Sequence, residues 1–142
     1  FDGDELRPNP PAGYNMIQLG RALADAQPPV RGLYVFNGNP AIALYDQNRV
    51  RRGLARQDMF TVVHELRMTD TARHADIVLP ATSSFEHADI LFSYYWPELI
   101  LNRPAIAPQG EARSNLDVFR ALAAALGFAD PCLGRGAEDI VS

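Results

Sequence analysis

Apolar and polar positions along this chain fall into blocks whose spacing switches between that of a helix and that of a buried strand. Met16, Leu19 and Leu23 recur at helical intervals behind Asn15, a good N-capping residue, and Pro28-Pro29 closes the segment, so a helix is predicted over 16–25. GLYVFN (32–37) is a short apolar, β-prone run between turn formers, the pattern of a strand covered on both faces. NGNP (37–40) is its exit loop. Asp46 caps a second helix predicted to about Ala55, with Val50 and Leu54 facing inward. FTVVHE (60–65) reads as the second strand, TDTARHA (69–75) as a short helix capped by Thr69, and DIVLPA (76–81) as a third strand stopped by Pro80.

Helix and strand therefore alternate with short connections. That order predicts an α/β fold: a three-layer α/β/α, Rossmann-like arrangement with a mostly parallel sheet, helices on both faces and right-handed crossovers. Residues 85–106 are less regular, and SYYWPELIL suits either a short strand or a loop packed on a neighbour. IAPQGEAR (106–113) is an extended connector. Ser114 and Asp117 have capping-box spacing and open a helix predicted to about Leu126. Its apolar face is Leu116, Phe119, Leu122, Ala123 and Leu126, and Gly127 is a suitable stop. The predicted division is a proline- and glycine-rich lead-in over 1–14, an α/β domain over 15–128 and a tail or connector over 129–142.

The length of 142 residues suits one domain with one core, and 47% apolar with 21% charged residues is an ordinary globular balance. A net charge of −4 argues against a nucleic-acid surface, which needs basic side chains to neutralise phosphates. No stretch approaches the roughly 20 apolar residues that span a bilayer. The polar start is no signal peptide, and beginning on Phe1 reads as processing or, more readily, as a fragment; the compartment stays open. Cys132 is the single cysteine, expected to be a lone, partly buried thiol, so an internal disulfide and a cysteine-held iron–sulfur cluster are excluded.

In an open parallel sheet, ligands bind beyond the carboxyl ends of the strands. Three polar clusters fall there and are expected to converge: Asn37-Gly38-Asn39, Glu65, and Thr82-Ser83-Ser84. Glycine in NGNP opens backbone conformations closed to other residues and lets a ligand approach, while asparagine amides both donate and accept; an ordinary βα turn has the same composition. Glu65 stands 28 residues after Asn37, near the spacing at which a carboxylate meets ribose hydroxyls in dinucleotide folds, although a strand-end carboxylate facing water has the same pattern. Thr69 and Asp70 suit a helix start; its N–H groups could equally meet a phosphate, which Asp70 would repel. Arg49, Arg52 and Arg56 share one helix flank, either a solvated face or a docking patch. His64-Glu65 lacks the second histidine of a zinc protease motif, and GxGxxG, the P-loop and the serine-nucleophile elbow are absent.

The run VVHELRMTDTARHADIVLPATSSFE carries a more specific signal. A hydrophobic strand ending in an acidic residue, then Thr-acidic-Thr-Ala, then Ala-Asp-hydrophobic-Val-Leu-Pro-Ala and a nearby Glu resembles the molybdopterin oxidoreductases, the family of dimethyl sulfoxide reductases, formate dehydrogenases and nitrate reductases. NMIQLGRAL upstream and GEARSNLDVFRALAAALGF downstream extend the resemblance over about residues 15–128. It implies a molybdenum or tungsten ion between two pyranopterin guanine dinucleotides, each held mainly by one of two related α/β domains, of which this chain looks like the second. On that resemblance Asn37, Gly38 and Asn39 approach the phosphate or pterin, Glu65 takes the guanosine end, Thr69 and Asp70 line the rim, and Pro80 and Thr82 lie near the cofactor edge. Asp76 serves structure and Glu86 supports the active-site funnel.

Many relatives have Asp where Glu65 stands. The chain also reads HADILFSYYWPEL where they carry a Gly-Thr and Asn-x-Glu-Gly-Arg stretch, so no substrate-pocket residue carries over. No catalytic residue and no metal ligand is assigned here. The chain is expected to be inactive and free of cofactor when isolated. The resemblance implies as partners the remaining domains of a longer enzyme, with an iron–sulfur electron-transfer subunit as a further candidate. The alternatives are a scaffold related to the large subunit of respiratory NADH dehydrogenase, and an independent nucleotide-binding regulator.

Overall fold

A computed structural model of the chain describes residues 13–93, 95, 98–128, 130–136 and 139. Most of the expected lead-in, the side chain of Cys132 and the end of the tail lie outside the described residues. Asn15 opens the first helical segment as foreseen: its side-chain oxygen accepts from Ile17 N over a 3-10 turn, Met16–Gln18, that runs into α1, Leu19–Asp25. The strands β1 (Gly32–Phe36), β2 (Phe60–Glu65) and β3 (Ile77–Pro80) form one sheet in the order β1-β2-β3. Phe60 N donates to Arg31 O and Asp76 N to Thr61 O, so each pair of strands starts together and the sheet is parallel. The α/β architecture expected from the alternation is present. The NGNP exit loop carries an extra one-turn helix, α2 (Pro40–Ala43), with proline in its first position. Asp46 caps α3 (Gln47–Leu54) by accepting from Arg49 N.

The described residues divide into two compact units. The first holds the chain up to Val63 together with Thr69–Ile77. Its core is Leu23, Ala41, Val50, Leu54 and Met59, joined by the partly buried Leu19, Val30, Leu33 and Leu44. Helices α1 and α3 approach so closely that a Cβ at Gly53 would stand 2.6 Å from Leu23 Cβ. Arg49 of α3 and Arg56 just beyond it are put to local use. Arg49 pairs with Asp25 of α1, and Arg56 bonds Asp58 and the Leu23 carbonyl. Arg51 and Arg52 are exposed.

The second unit holds His64–Met68 and the chain from Val78 onward. Here β4 (Asp89–Phe92) and β5 (Leu99–Asn102) pair antiparallel, with Leu91 opposite Ile100 and Phe92 opposite Leu99. The predicted capping box is made: Ser114 Oγ accepts from Asp117 N and donates to Asp117 Oδ2, opening α4 (Asn115–Ala125). Gly127 takes a left-handed φ of 78° and stops it. The apolar face expected on α4 is only partly covered. Ala123 is buried, whereas Leu116, Phe119, Leu122 and Leu126 are 37 to 64% exposed. Four of the five apolar side chains are thus open to solvent over a third or more of their surface. Among the described residues no helix is long and apolar enough to cross a membrane.

Candidate functional site

In the first unit the loop after β1 borders a cavity of about 410 Å³, lined among others by Met16, Tyr34, Phe36, Asn37, Gly38 and Asn39. Among the described residues no charged side chain lines it. Its walls are apolar with amides at one edge, a lining suited to a flat heterocycle with hydrogen-bonding groups. Burial pushes the Tyr34 hydroxyl to a pKa above its ordinary value, so this phenol stays neutral.

The left-handed residue of the loop is Asn37, with φ 50°, not the glycine beside it. Asparagine tolerates this conformation because its short amide can bond locally. Gly38, contrary to expectation, does not take the conformation closed to other residues. A Cβ at Gly38 would meet only the Phe36 carbonyl, at 3.7 Å, which is ordinary contact. The fold itself does not require glycine there; the missing side chain leaves the main chain of the loop open at the cavity.

Asn39 is anchored rather than free. Its Oδ1 accepts from Thr71 N at 3.1 Å and Thr71 Oγ1 at 2.7 Å. Because an amide N–H must donate to oxygen, this contact fixes which way the Asn39 amide points, and its NH2 end is left for other partners. Thr71 Oγ1 also accepts from Ala41 N at 3.1 Å and is fully buried. Thr71 thus ties the loop and α2 to the segment after β2. Sequence reasoning missed this role, although Thr71 stood as the second threonine of the Thr-acidic-Thr-Ala motif. Thr69 caps as foreseen, its Oγ1 accepting from Ala72 N, while Asp70 is exposed. Asp76 has the structural role expected of it, clasping Thr61 N through Oδ2 at 2.7 Å.

The remaining predicted residues belong to the second unit. Glu65 ends β2 half-buried, with Oε1 accepting from Leu66 N at 2.7 Å. Pro80 ends β3, and its carbonyl accepts from Arg113 N. Thr82 is buried; its N–H donates to Arg113 O, and its Oγ1 stands 2.8 Å from His87 Nδ1. His64 is fully buried with Nε2 3.1 Å from Arg113 O, so Nε2 must donate and the ring serves structure. Among the described residues no cluster of His, Cys, Asp and Glu could hold a metal ion.

Glu86 is a strut. Its carboxylate accepts from Ser83 Oγ, Ser83 N and Gln109 N, at 2.6 to 2.8 Å. These bonds, the Ser83 hydroxyl first, hold its pKa below the usual carboxylate value. A depressed folded pKa contributes stability above the unfolded value and loses it as pH falls through the folded one. Urea unfolding is expected to show the wild type ahead of Glu86→Gln above about pH 5, with the gap closing in more acidic solution. A gap that stays constant with pH contradicts this role.

The chain is similar along most of its length to known proteins. Residues 11–125 match the family model for molybdopterin oxidoreductase. The chain belongs to the molybdopterin oxidoreductase family. Relatives in this family include the "Probable oxidoreductase YoaE" of Bacillus subtilis, 50% identical over 127 residues, covering 89% of this chain and 19% of that protein. The dimethyl sulfoxide/trimethylamine N-oxide reductase of Rhodobacter capsulatus is 40% identical over 102 residues, covering 70% of this chain and 12% of that protein. Among solved structures, acetylene hydratase from Pelobacter acetylenicus matches with a TM-score of 0.70 at 28% identity, over 80% of this chain and 16% of that one. The chain spans less than a fifth of each of these proteins.

Proposed function

We propose that this chain is a cofactor-binding domain of a larger molybdopterin oxidoreductase, that it holds one guanine dinucleotide of the cofactor, and that it catalyses nothing alone. The observation that carries the reading is the Asn37-Gly38-Asn39 loop: an uncharged cavity with amides at its edge and a glycine that the fold does not need. Asn37 and the Asn39 NH2 would bond a heterocycle edge, and the open main chain at Gly38 would admit phosphate or pterin. Glu65 retains carboxylate capacity for ribose hydroxyls beyond its bond to Leu66 N. Thr69, Asp70, Pro80 and Thr82 would complete the contacts. The parallel order of β1, β2 and β3 supports this reading, since such sheets bind ligands at their carboxyl edge.

When bound, the cofactor supplies the two-electron redox chemistry, and the residues of this chain bind and orient it. The longer enzyme would move an oxygen atom or an electron pair, with its other domains and an iron–sulfur subunit as partners. The half-exposed face of α4 supports the presence of further domains. The test is nucleotide analysis of the longer protein. Acid hydrolysis is expected to release guanosine monophosphate, and Glu65→Ala is expected to lower the yield about tenfold, the loss of one charge-assisted hydrogen bond of about 1.5–3 kcal/mol. Tightly held cofactor without a guanine nucleotide, or a yield unchanged in Glu65→Ala, contradicts it.

A further inference from the structure

His87 carries no ligand-like spacing in the sequence, yet the second unit sets a graded series of polar groups through it. Asp89 is exposed, the His87 ring is about a quarter exposed, and Thr82 is buried. His87 Nε2 stands 3.8 Å from Asp89 Oδ2, in ion-pair range, and Nδ1 stands 2.8 Å from Thr82 Oγ1. The segment is held from behind: Asn102 Nδ2 donates to the carbonyls of Ser84 and His87 at 2.7 and 2.9 Å. The ring also borders a cavity of about 320 Å³ shared with Asp89, Ser114 and Asn115.

We propose that His87 is a positioning residue that sets whether the buried Thr82 hydroxyl accepts or donates toward a ligand. A carboxylate only accepts, so Asp89 favours the neutral ring with its proton on Nε2. Nδ1 then has a lone pair and takes the Thr82 O–H, leaving Thr82 only lone pairs to offer elsewhere. Protonation at Nδ1 reverses this bond: Nδ1–H donates to Oγ1, and the Thr82 proton turns outward. Thr82 becomes a donor, suited to an anionic oxygen. Among the described residues, the ionisable groups that interact with the ring are Asp89, across Nε2, and Glu86, whose charge couples to His87. From α4, Ser114 and the uncharged Asn115 border the same cavity, and Asp117 is held by Ser114.

The mechanism of the switch stands on these bonds alone; its use toward cofactor rests on the proposed function. Long-range proton–nitrogen NMR of the 142-residue chain tests the first part. In the wild type, the neutral ring of His87 is expected to carry its proton on Nε2, and Thr82 side-chain resonances are expected to titrate with the His87 midpoint. In His87→Asn the Thr82 titration is expected to vanish. A neutral ring protonated on Nδ1, or Thr82 resonances that move equally in His87→Asn, overturns the proposal. Thr82→Val adds a check: the His87 midpoint should shift, and an unchanged midpoint counts against the bond. Should that variant fail to fold, the wild type and His87→Asn still decide. The second part is read as cofactor retained by the longer protein as pH is varied. The wild type is expected to retain several-fold more at the acidic end, and His87→Asn to show no slope. A flat wild-type profile beside an intact NMR switch overturns the placement of Thr82 at the cofactor.

Discussion

Thr71→Val is expected to destabilise the chain by about 2–3 kcal/mol, measured by urea unfolding. Valine matches threonine in shape, so no cavity opens and no atom is crowded. What disappears is the hydroxyl. Ala41 N loses its acceptor in a buried position, and an unsatisfied buried donor costs about 1–3 kcal/mol. Asn39 Oδ1 loses its 2.7 Å bond but keeps the one from Thr71 N. The damage is therefore local to the loop and α2, and it reaches the site: Asn39 loses part of what aims its amide. In the longer protein the same substitution is expected to lower bound cofactor more than the lost stability accounts for. A loss below about 0.5 kcal/mol, the size of an ordinary surface change, contradicts the anchoring role.

Gly53→Ala is expected to destabilise by about 1–2 kcal/mol, although it replaces a poor helix former with the best one. In an exposed helix that exchange gains up to about 1 kcal/mol. Here the new methyl would stand 2.6 Å from Leu23 Cβ and 2.9 Å from its Cδ1. Leu23 is 1% exposed and its Cβ moves only with the backbone of α1, so the helices must separate. Overpacking of that kind costs about 1–3 kcal/mol and outweighs the propensity gain. Gly20 provides the comparison. Its nearest contact would be 3.3 Å, to Arg49 Cβ and Val50, so Gly20→Ala is expected to be milder by more than 1 kcal/mol. Equal effects at the two positions, read from urea unfolding, contradict the close crossing of α1 and α3.

Much of the backbone was legible because local chemistry dictated it. The capping residues Asn15, Asp46 and Ser114 act on their helices through bonds of two or three residues' reach. FTVVHE forms β2 over the residues read from it. Elements too short to show a period, or fixed by contacts distant in sequence, were not legible. Four residues are too few to show helical periodicity, so α2 was hidden in a turn-like stretch. The strands DILF and LILN lack polar alternation because both their faces carry apolar groups. The left-handed turn fell on Asn37, since composition favours glycine but does not say which of two adjacent candidates takes the positive φ. The bond between Asn39 and Thr71 joins residues 32 apart, and the polar strut at Glu86 reaches Gln109, 23 residues away. No spacing rule reaches across such distances; only the fold brings these groups together.

Gly38 carries no side chain where the proposed function places a ligand, and a Cβ there would meet only the Phe36 carbonyl. Gly38→Ala in the longer protein, with molybdopterin and guanine content assayed beside thermal unfolding, tests this most directly. The predicted result is an unchanged melting temperature and a loss of bound cofactor of at least about tenfold, since the added methyl has room against Phe36 O but would stand where a ligand approaches the main chain. Full cofactor content in Gly38→Ala, or a melting temperature that falls in step with it, would show that the glycine serves the fold and not a ligand.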